Sequence, residues 1–163
     1  MIKTVAIAIW VVSVFIICAN VCADMKREVA KLYAARALTY AIYSGTLGGR
    51  TLISVLKNEG AEHLCALGLY EVYFGADAAV LPYTKERLEK SRIALGKRDA
   101  DYLKEYLAAY GALTDGRQID EAKKAYTYFD MRYTEASGVC EKNVKVVRTV
   151  SATAAFAFTV LLI

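Results

Sequence analysis

The chain has 163 residues, of which 56% are hydrophobic and 23% are charged, and its formal net charge is +4. This apolar fraction is large enough to build a core, which excludes a disordered chain. Acidic and basic residues are interleaved along the sequence without a basic block, so we expect no nucleic-acid partner.

Residues 1–23 have the pattern of a cleaved secretory signal. Lys3 is followed by an uncharged apolar run that ends in Val21-Cys22-Ala23, and small residues at these positions favour cleavage. We therefore predict a secreted, extracellular protein that begins at Asp24. The alternative is an uncleaved membrane anchor, because the run from Val5 to Ala23 almost reaches the ~20 residues that a membrane helix needs.

Cleavage would change the cysteine count. Cys18 and Cys22 would leave with the signal, and only Cys65 and Cys140 would remain. One pair in an oxidising compartment predicts one disulfide, which would stabilise the fold by roughly 4–5 kcal/mol in the chain-entropy model. The alternative is a pair of buried free thiols.

The rest of the chain has helical patterns throughout. A single proline and an abundance of Ala, Leu, Lys and Glu favour helices. The predicted helices are 26–43, 50–57, 61–81, 85–97, 100–113, 120–136 and 142–163. Pro82 marks a helix boundary or kink, Thr84 and Asp99 are predicted N-caps, and Gly138 is a predicted helix end.

Short loops between these helices indicate how they pack. We predict an all-α fold, an antiparallel helical bundle that is similar to a four-helix bundle with a short N-terminal helical hairpin. Residues 24–163 are predicted to form a single domain.

The residues that usually carry catalysis are few. His63 is the only histidine, and the glycines at 45, 48 and 49 lack the Lys-Ser/Thr that completes a phosphate-binding loop. Carboxylates at predicted helix starts complement the helix dipole without catalysis; they are Asp99, Asp101, Asp120 and Glu121. We therefore predict no enzyme, with no catalytic, cofactor-binding or metal-binding residues, and a protein as the partner.

Twelve tyrosines are the most unusual feature of the composition. Tyr102, Tyr106 and Tyr110 recur every four residues on one predicted helix face, and Tyr126 and Tyr133 are seven apart on another. Packing at the edge of the core explains them. The alternative is a binding face at Tyr102, Tyr106 and Tyr110, because tyrosine is enriched in protein interfaces.

Local motifs from Cys65 onward resemble a known family. They are Cys65 with Tyr70, Leu88-Glu89-Lys90-Ser91, Leu107-Ala108-Ala109, Thr134-Glu135-Ala136-Ser137 and Cys140-Glu141-Lys142. Over this stretch the chain resembles the plant inhibitors of invertase and pectin methylesterase. The resemblance implies that Cys65 and Cys140 staple the bundle. It also implies that an exposed helix face blocks the cleft of a cell-wall or extracellular carbohydrate-active enzyme.

The C-terminal residues support a different function. Ala136-Ser137-Gly138 are small, a polar stretch follows, and residues 150–163 are uncharged, which is the layout of a glycolipid-anchor signal. The same segment suits a last buried bundle helix, whereas a membrane span is less favoured because fourteen residues reach only about 21 Å. The alternative function is a surface-anchored or membrane-tethered structural or interaction protein without inhibitor activity.

Overall fold

The computed structural model describes residues 2–75, 81–110 and 114–162, and within these residues every regular element is a helix. The helices are α1 (Ile2–Leu47), α2 (Leu52–Asn58), α3 (Ala61–Leu67), α4 (Tyr70–Phe74), α5 (Leu81–Lys90), α6 (Lys97–Tyr110) and α7 (Asp115–Leu162). The predicted all-α antiparallel bundle is confirmed.

The two longest helices, α1 and α7, pack against each other. Tyr33 of α1 meets Tyr133 of α7 with ring centroids 5.7 Å apart, and Tyr40 meets Tyr126 at 5.3 Å. Residue numbers rise along α1 while they fall along α7, so the two helices run antiparallel.

The chain divides into two compact units. Unit 1 comprises Met1–Val29 and Glu135–Ile163, and unit 2 comprises Ala30–Thr134. The boundary predicted after Ala23 does not coincide with a helix end, because α1 continues through it.

Unit 1 is a helix pair held along one narrow stripe. On α1 the covered positions recur every three or four residues, whereas most of the positions between them are exposed; they are Val11, Val14, Cys18, Cys22, Met25 and Val29. The covered positions on α7 follow the same spacing and include Cys140, Val144, Val147 and Ser151. This spacing is typical of a coiled-coil seam, in which each helix buries one stripe and exposes the rest.

Unit 2 has a conventional hydrophobic core. Phe129 of α7 is the largest fully buried side chain. The other fully buried aliphatic side chains come from α1, α2, α3, α5, α6 and the α3–α4 connection; they include Leu38, Ile42, Leu56, Leu64, Leu69, Leu88 and Leu103. The short helices α2 to α6 thus supply a core that the paired helices of unit 1 lack.

The single predicted helix over 61–81 is wrong. Gly68 adopts φ = 73° and ends α3, and α4 begins two residues later at Tyr70. Glycine adopts this left-handed conformation without the steric cost that a Cβ would bring. The helix predicted over 61–81 also crosses residues 76–80, which lie outside the described residues. The same is true of Leu113, the predicted end of the helix over 100–113.

Both predicted N-caps are wrong, because their helices begin earlier. Thr84 lies within α5 (Leu81–Lys90), after Leu81, Pro82 and Tyr83. The residues just before Leu81 lie outside the described residues, so the helix boundary or kink predicted at Pro82 stays a prediction. Asp99 lies in the first turn of α6, which begins at Lys97.

The predicted break at Gly138 is also wrong. Helix α7 runs without interruption from Asp115 to Leu162, and so merges the two helices predicted over 120–136 and 142–163. The helix predicted over 26–43 is likewise part of the longer α1. A lone glycine weakens a helix by only about 1 kcal/mol, and packing against a neighbouring helix can offset this.

Two helical glycines should respond in opposite ways to alanine. Gly138 has open space around an added Cβ, so Gly138→Ala should raise the free energy of unfolding by about 0.5–1 kcal/mol. A Cβ at Gly45 would overlap Cγ2 of Val55, a branched side chain with little freedom to move. Gly45→Ala should therefore lower the free energy of unfolding by about 1–3 kcal/mol. Thermal unfolding followed by circular dichroism measures both, and equal effects would contradict the close packing of α1 on α2.

Candidate functional site

A groove lies between α6 and the start of α7. Its volume is about 510 Å³, and it lies within unit 2. The lining residues are Tyr102, Glu105, Tyr106, Ala109, Arg117, Asp120, Glu121 and Lys124. The lining residues of α6 are held in place because Leu103, Leu107 and Tyr110 are buried on an adjacent face of the same helix.

The side chain of Asp99 holds α6 against α7. Its carboxylate is buried and accepts two hydrogen bonds from Arg132, through Nε and Nη2 at 3.1 Å each, and one from the Tyr128 hydroxyl at 2.7 Å. Burial acts to raise the pKa of Asp99, but the hydrogen bonds from Arg132 and Tyr128 outweigh it, so the pKa lies below its ordinary value. The carboxylate therefore stays ionised and holds Arg132 in a two-pronged ion pair.

An aromatic cluster extends from this ion pair to the groove. The rings of Tyr102 and Tyr128 have centroids 4.1 Å apart, and Phe129 lies 5.9 Å from Tyr102 and 5.1 Å from Tyr128. Such contacts contribute about 0.5–1.5 kcal/mol beyond the burial of apolar surface. Because Phe129 is fully buried, the ring of Tyr102 at the groove is held by the core of unit 2.

The three tyrosines of the predicted binding face have different environments. Tyr106 and Tyr110 are only 7% and 4% exposed, whereas Tyr102 is half-buried and lines the groove. The Tyr110 hydroxyl bonds Thr46 of α1. For Tyr106 and Tyr110, packing in the core is therefore the dominant role, and they do not form an exposed face with Tyr102.

Tyr126 and Tyr133 also serve packing. Tyr126 contacts Tyr40 and stacks on Tyr43 with ring centroids 6.2 Å apart, and Tyr133 contacts Tyr33. These rings fill the contact between α1 and α7 within unit 2.

Tyr106 has a hydroxyl without a partner. The oxygen is buried and makes no hydrogen bond, although the side chain lines the groove. Burial raises the pKa of Tyr106, so the hydroxyl remains protonated at any physiological pH. A buried donor without an acceptor is uncommon and costs about 1–3 kcal/mol.

The charges around the groove are exposed and of both signs. Lys124 Nζ lies 2.7 Å from Glu121 Oε1, with both side chains largely in solvent. Solvent weakens such pairs to about 0–1 kcal/mol, so this pair contributes little to the position of the two side chains. Sequence reasoning missed Arg117, because the helix predicted over 120–136 left it in a loop. It missed Lys124 because the groove depends on how α6 lies on α7.

The predicted disulfide is not present, and all four cysteines carry free thiols. Cys65 is exposed on α3 in unit 2, whereas Cys140 lies on the covered stripe of α7 in unit 1. Cys140 therefore packs within the helix pair. Among the described residues, no three potential ligands cluster in a way that could hold a metal ion. His63 is half-buried beside Tyr33, with ring centroids 6.5 Å apart.

The outer surface of unit 1 is the second candidate site. Within the described residues, α1 contains a stretch from Ala8 that is long and apolar enough to cross a membrane, with a mean hydropathy of 2.0. Its large side chains point outward and include Val5, Ile9, Val12, Phe15, Ile16 and Ile17. On α7, Val150, Phe156 and Val160 are likewise exposed. A signal sequence and a membrane anchor both fit this surface.

Neutralising Asp99 should destabilise unit 2. Asp99→Asn removes the charge that Arg132 binds and should lower the free energy of unfolding by about 2–3 kcal/mol. Because the folded pKa is lowered, the stabilisation is present above the ordinary carboxyl pKa of about 3.9 and is lost as the pH falls through the lowered value. Denaturation at several pH values should show a larger loss in the wild type than in Asp99→Asn, which keeps the other carboxylates. Asp101→Asn, at an exposed position of the same helix, is the control and should change stability by less than about 0.5 kcal/mol.

Removing single hydroxyls should distinguish the two buried tyrosines of α6. Tyr106→Phe deletes an unpaired donor, so stability should stay the same or rise by about 1 kcal/mol. Tyr110→Phe deletes a hydroxyl bonded to Thr46, so stability should fall by about 1 kcal/mol. Parallel thermal melts measure the difference. A larger loss in Tyr106→Phe than in Tyr110→Phe would show that these hydrogen-bond assignments are wrong.

Comparisons with known proteins add no relative: no family model matches the chain, and the searches of curated proteins and of solved structures give no match. The resemblance to the plant inhibitors, and the inhibitor function that it implies, therefore stay predictions.

Proposed function

We propose that this protein is a membrane-tethered interaction protein, in which unit 1 anchors the chain and unit 2 binds a protein partner through the groove between α6 and α7. The observation that carries the proposal is the apolar outer surface of unit 1. On α1 the exposed large apolar side chains include Val5, Ile9, Val12, Phe15, Ile16 and Ile17, and soluble monomers rarely expose large contiguous apolar patches.

The energetics of unit 1 favour a lipid environment. Large side chains such as Ile9 and Ile17 remain 62% and 61% exposed although α1 is packed on α7. Each such side chain gains about 1.5–3 kcal/mol when it is fully transferred from water to an apolar medium. The helix pair buries only one stripe, so its own partner helix does not cover the remaining apolar surface.

The lengths of the apolar segments fit an anchor. Residues 5–23 extend about 28 Å as a helix, close to the ~30 Å hydrocarbon core of a bilayer. Residues 150–162 extend about 20 Å and pack on α1 through Ser151, which is 5% exposed. The first segment therefore suffices to span, and the second can accompany it through most of the bilayer.

The pairing within unit 1 favours retention of residues 1–23. Cys18 Sγ lies 2.6 Å from Ser151 Oγ. Cleavage after Ala23 would remove this contact together with the covered residues Val11, Val14 and Cys22. Residues 150–162 would then lose the helix on which they pack.

The groove supports binding as the role of unit 2. The ring of Tyr102 is rigidly held by Tyr128 and Phe129, and tyrosine supplies contact area at low entropic cost. The surrounding charges of both signs can pair with a charged partner surface.

Alkaline extraction of membranes tests the anchor. The full chain, expressed in bacterial cells, should stay in the membrane pellet at alkaline pH and dissolve only in detergent. Its intact mass should include residues 1–23. The double variant Ile16→Lys/Ile17→Lys places two charges on the outer surface of unit 1 and should shift the protein toward the soluble fraction, since each charge costs about 2.5–3.5 kcal/mol at a membrane centre.

Ile53→Lys is the matched control, because Ile53 is 52% exposed but belongs to unit 2. This variant should remain in the pellet. Recovery of the wild type in the alkaline supernatant, or an intact mass that begins at Asp24, would contradict membrane anchoring.

A further inference from the structure

A collar of basic residues borders the apolar part of unit 1. On α1 it consists of the exposed residues Lys26 and Arg27, which follow the apolar segment. On α7 it consists of Lys142, Lys145 and Arg148, which are also exposed and precede the apolar residues 150–162. The stretch 142–148 contains no acidic residue.

The collar lies at one end of the helix pair. Taking the Cys18–Ser151 contact as a reference level, Lys26 lies about 12 Å away along α1 and Lys142 about 14 Å away along α7. Because the helices are antiparallel, both displacements point in the same direction. The apolar segments extend the other way, by about 20 Å to Val5 and about 17 Å to Leu162.

The distribution of basic residues is asymmetric. Five basic residues form the collar, whereas Lys3 is the one basic residue that precedes the apolar segment of α1. Lysine and arginine close to a membrane segment favour the cytoplasmic side, and acidic residues contribute little to this preference. The nearby Arg27–Asp24 pair is 3.2 Å long and largely exposed, so it leaves Arg27 accessible to lipid.

We propose that this collar binds the anionic phospholipid headgroups of the cytoplasmic leaflet, and that unit 2 consequently lies on the cytoplasmic side of the membrane. This inference rests on the membrane anchoring proposed above. Basic residues beside a membrane segment attract anionic headgroups, and the long stems of lysine and arginine let their charges reach the interface. The orientation is opposite to that produced by a cleaved secretory signal, which would carry residues 24–163 across the membrane.

Cys65 supplies a natural reporter of sidedness, because it is exposed on α3 in unit 2. The full chain would be expressed in bacteria, and spheroplasts would be treated with a membrane-impermeant maleimide before or after lysis. Cys65→Ser measures the labelling of the other three cysteines. In intact spheroplasts we expect the wild type and Cys65→Ser to be labelled equally. After lysis the wild type should be labelled more strongly than Cys65→Ser.

Charge reversal tests whether the collar sets this orientation. Lys142→Glu/Lys145→Glu/Arg148→Glu should raise the fraction of Cys65 labelled in intact spheroplasts at least several-fold. The matched control is Lys57→Glu/Lys97→Glu/Lys123→Glu, which makes the same change of charge within unit 2 and should leave labelling unchanged. If the reversed collar prevents accumulation, the corresponding glutamine variant replaces it.

A lipid measurement tests the headgroup contact directly. Dioleoylphosphatidylglycerol added to the detergent-solubilised full chain should raise its Tm more than dioleoylphosphatidylcholine does. The collar variant should lose this difference, and the matched control should keep it. Equal effects of the two lipids on the wild type would overturn headgroup binding.

The outcomes separate this inference from the proposed anchor. Labelling of Cys65 in intact spheroplasts, with the chain still in the alkaline membrane pellet, would overturn the orientation and leave the anchor intact. Recovery of the chain in the alkaline supernatant would overturn both.

Discussion

The packing of α1 on α7 along a single stripe is the constraint on which the structure depends. In unit 1 this stripe is made of small and medium side chains, which allow two helices to approach closely. At its polar point, Ser151 donates its hydroxyl hydrogen to the Val147 carbonyl at 2.6 Å. Its oxygen can therefore only accept from the Cys18 thiol. The hydrogen-bonding groups of Ser151 and Cys18 in the stripe thus find partners within the helix pair. The apolar outer surface instead contacts the surrounding medium.

In unit 2 the same two helices are held by different chemistry. Arg36 of α1 lies 2.6 Å from Asp130 of α7 and 5.2 Å from the centre of the Tyr133 ring. Asp99 and Arg132 connect α6 to α7. Ion pairs and rings impose a definite geometry, which the binding groove proposed above requires. Unit 1 presents an apolar surface that suits the lipid environment proposed for it. Unit 2 presents polar groups in fixed positions.

The sequence was sufficient for the fold class but not for the helix ends. Helical periodicity and composition act locally, so all-α structure could be predicted. Gly68 and Gly138 show where this stops: the first adopts a positive φ and ends a helix, and the second stays helical in α7. The choice depends on what each helix packs against, which a local pattern does not contain.

The same limit applies to the candidate site. Asp99 could be recognised as a helix-start residue, but its pairing with Arg132, 33 residues further along the chain, depends on how α6 lies on α7. Tyr106 and Tyr110 could be placed on one helix face, yet their burial against the core was beyond the sequence pattern. The basic residues beside the apolar segments were visible in the sequence, but their common level required the antiparallel register of α1 and α7.

The composition of unit 1 has a consequence for biosynthesis. Its two helical segments are separated by the 105 residues of Ala30–Thr134, which a ribosome adds in about 5–20 s. During that interval the apolar segment of α1 has emerged without the α7 segment on which it packs. In the membrane-anchored protein proposed above, the membrane or a factor that delivers chains to it shields this segment first, and the helix pair is assembled last.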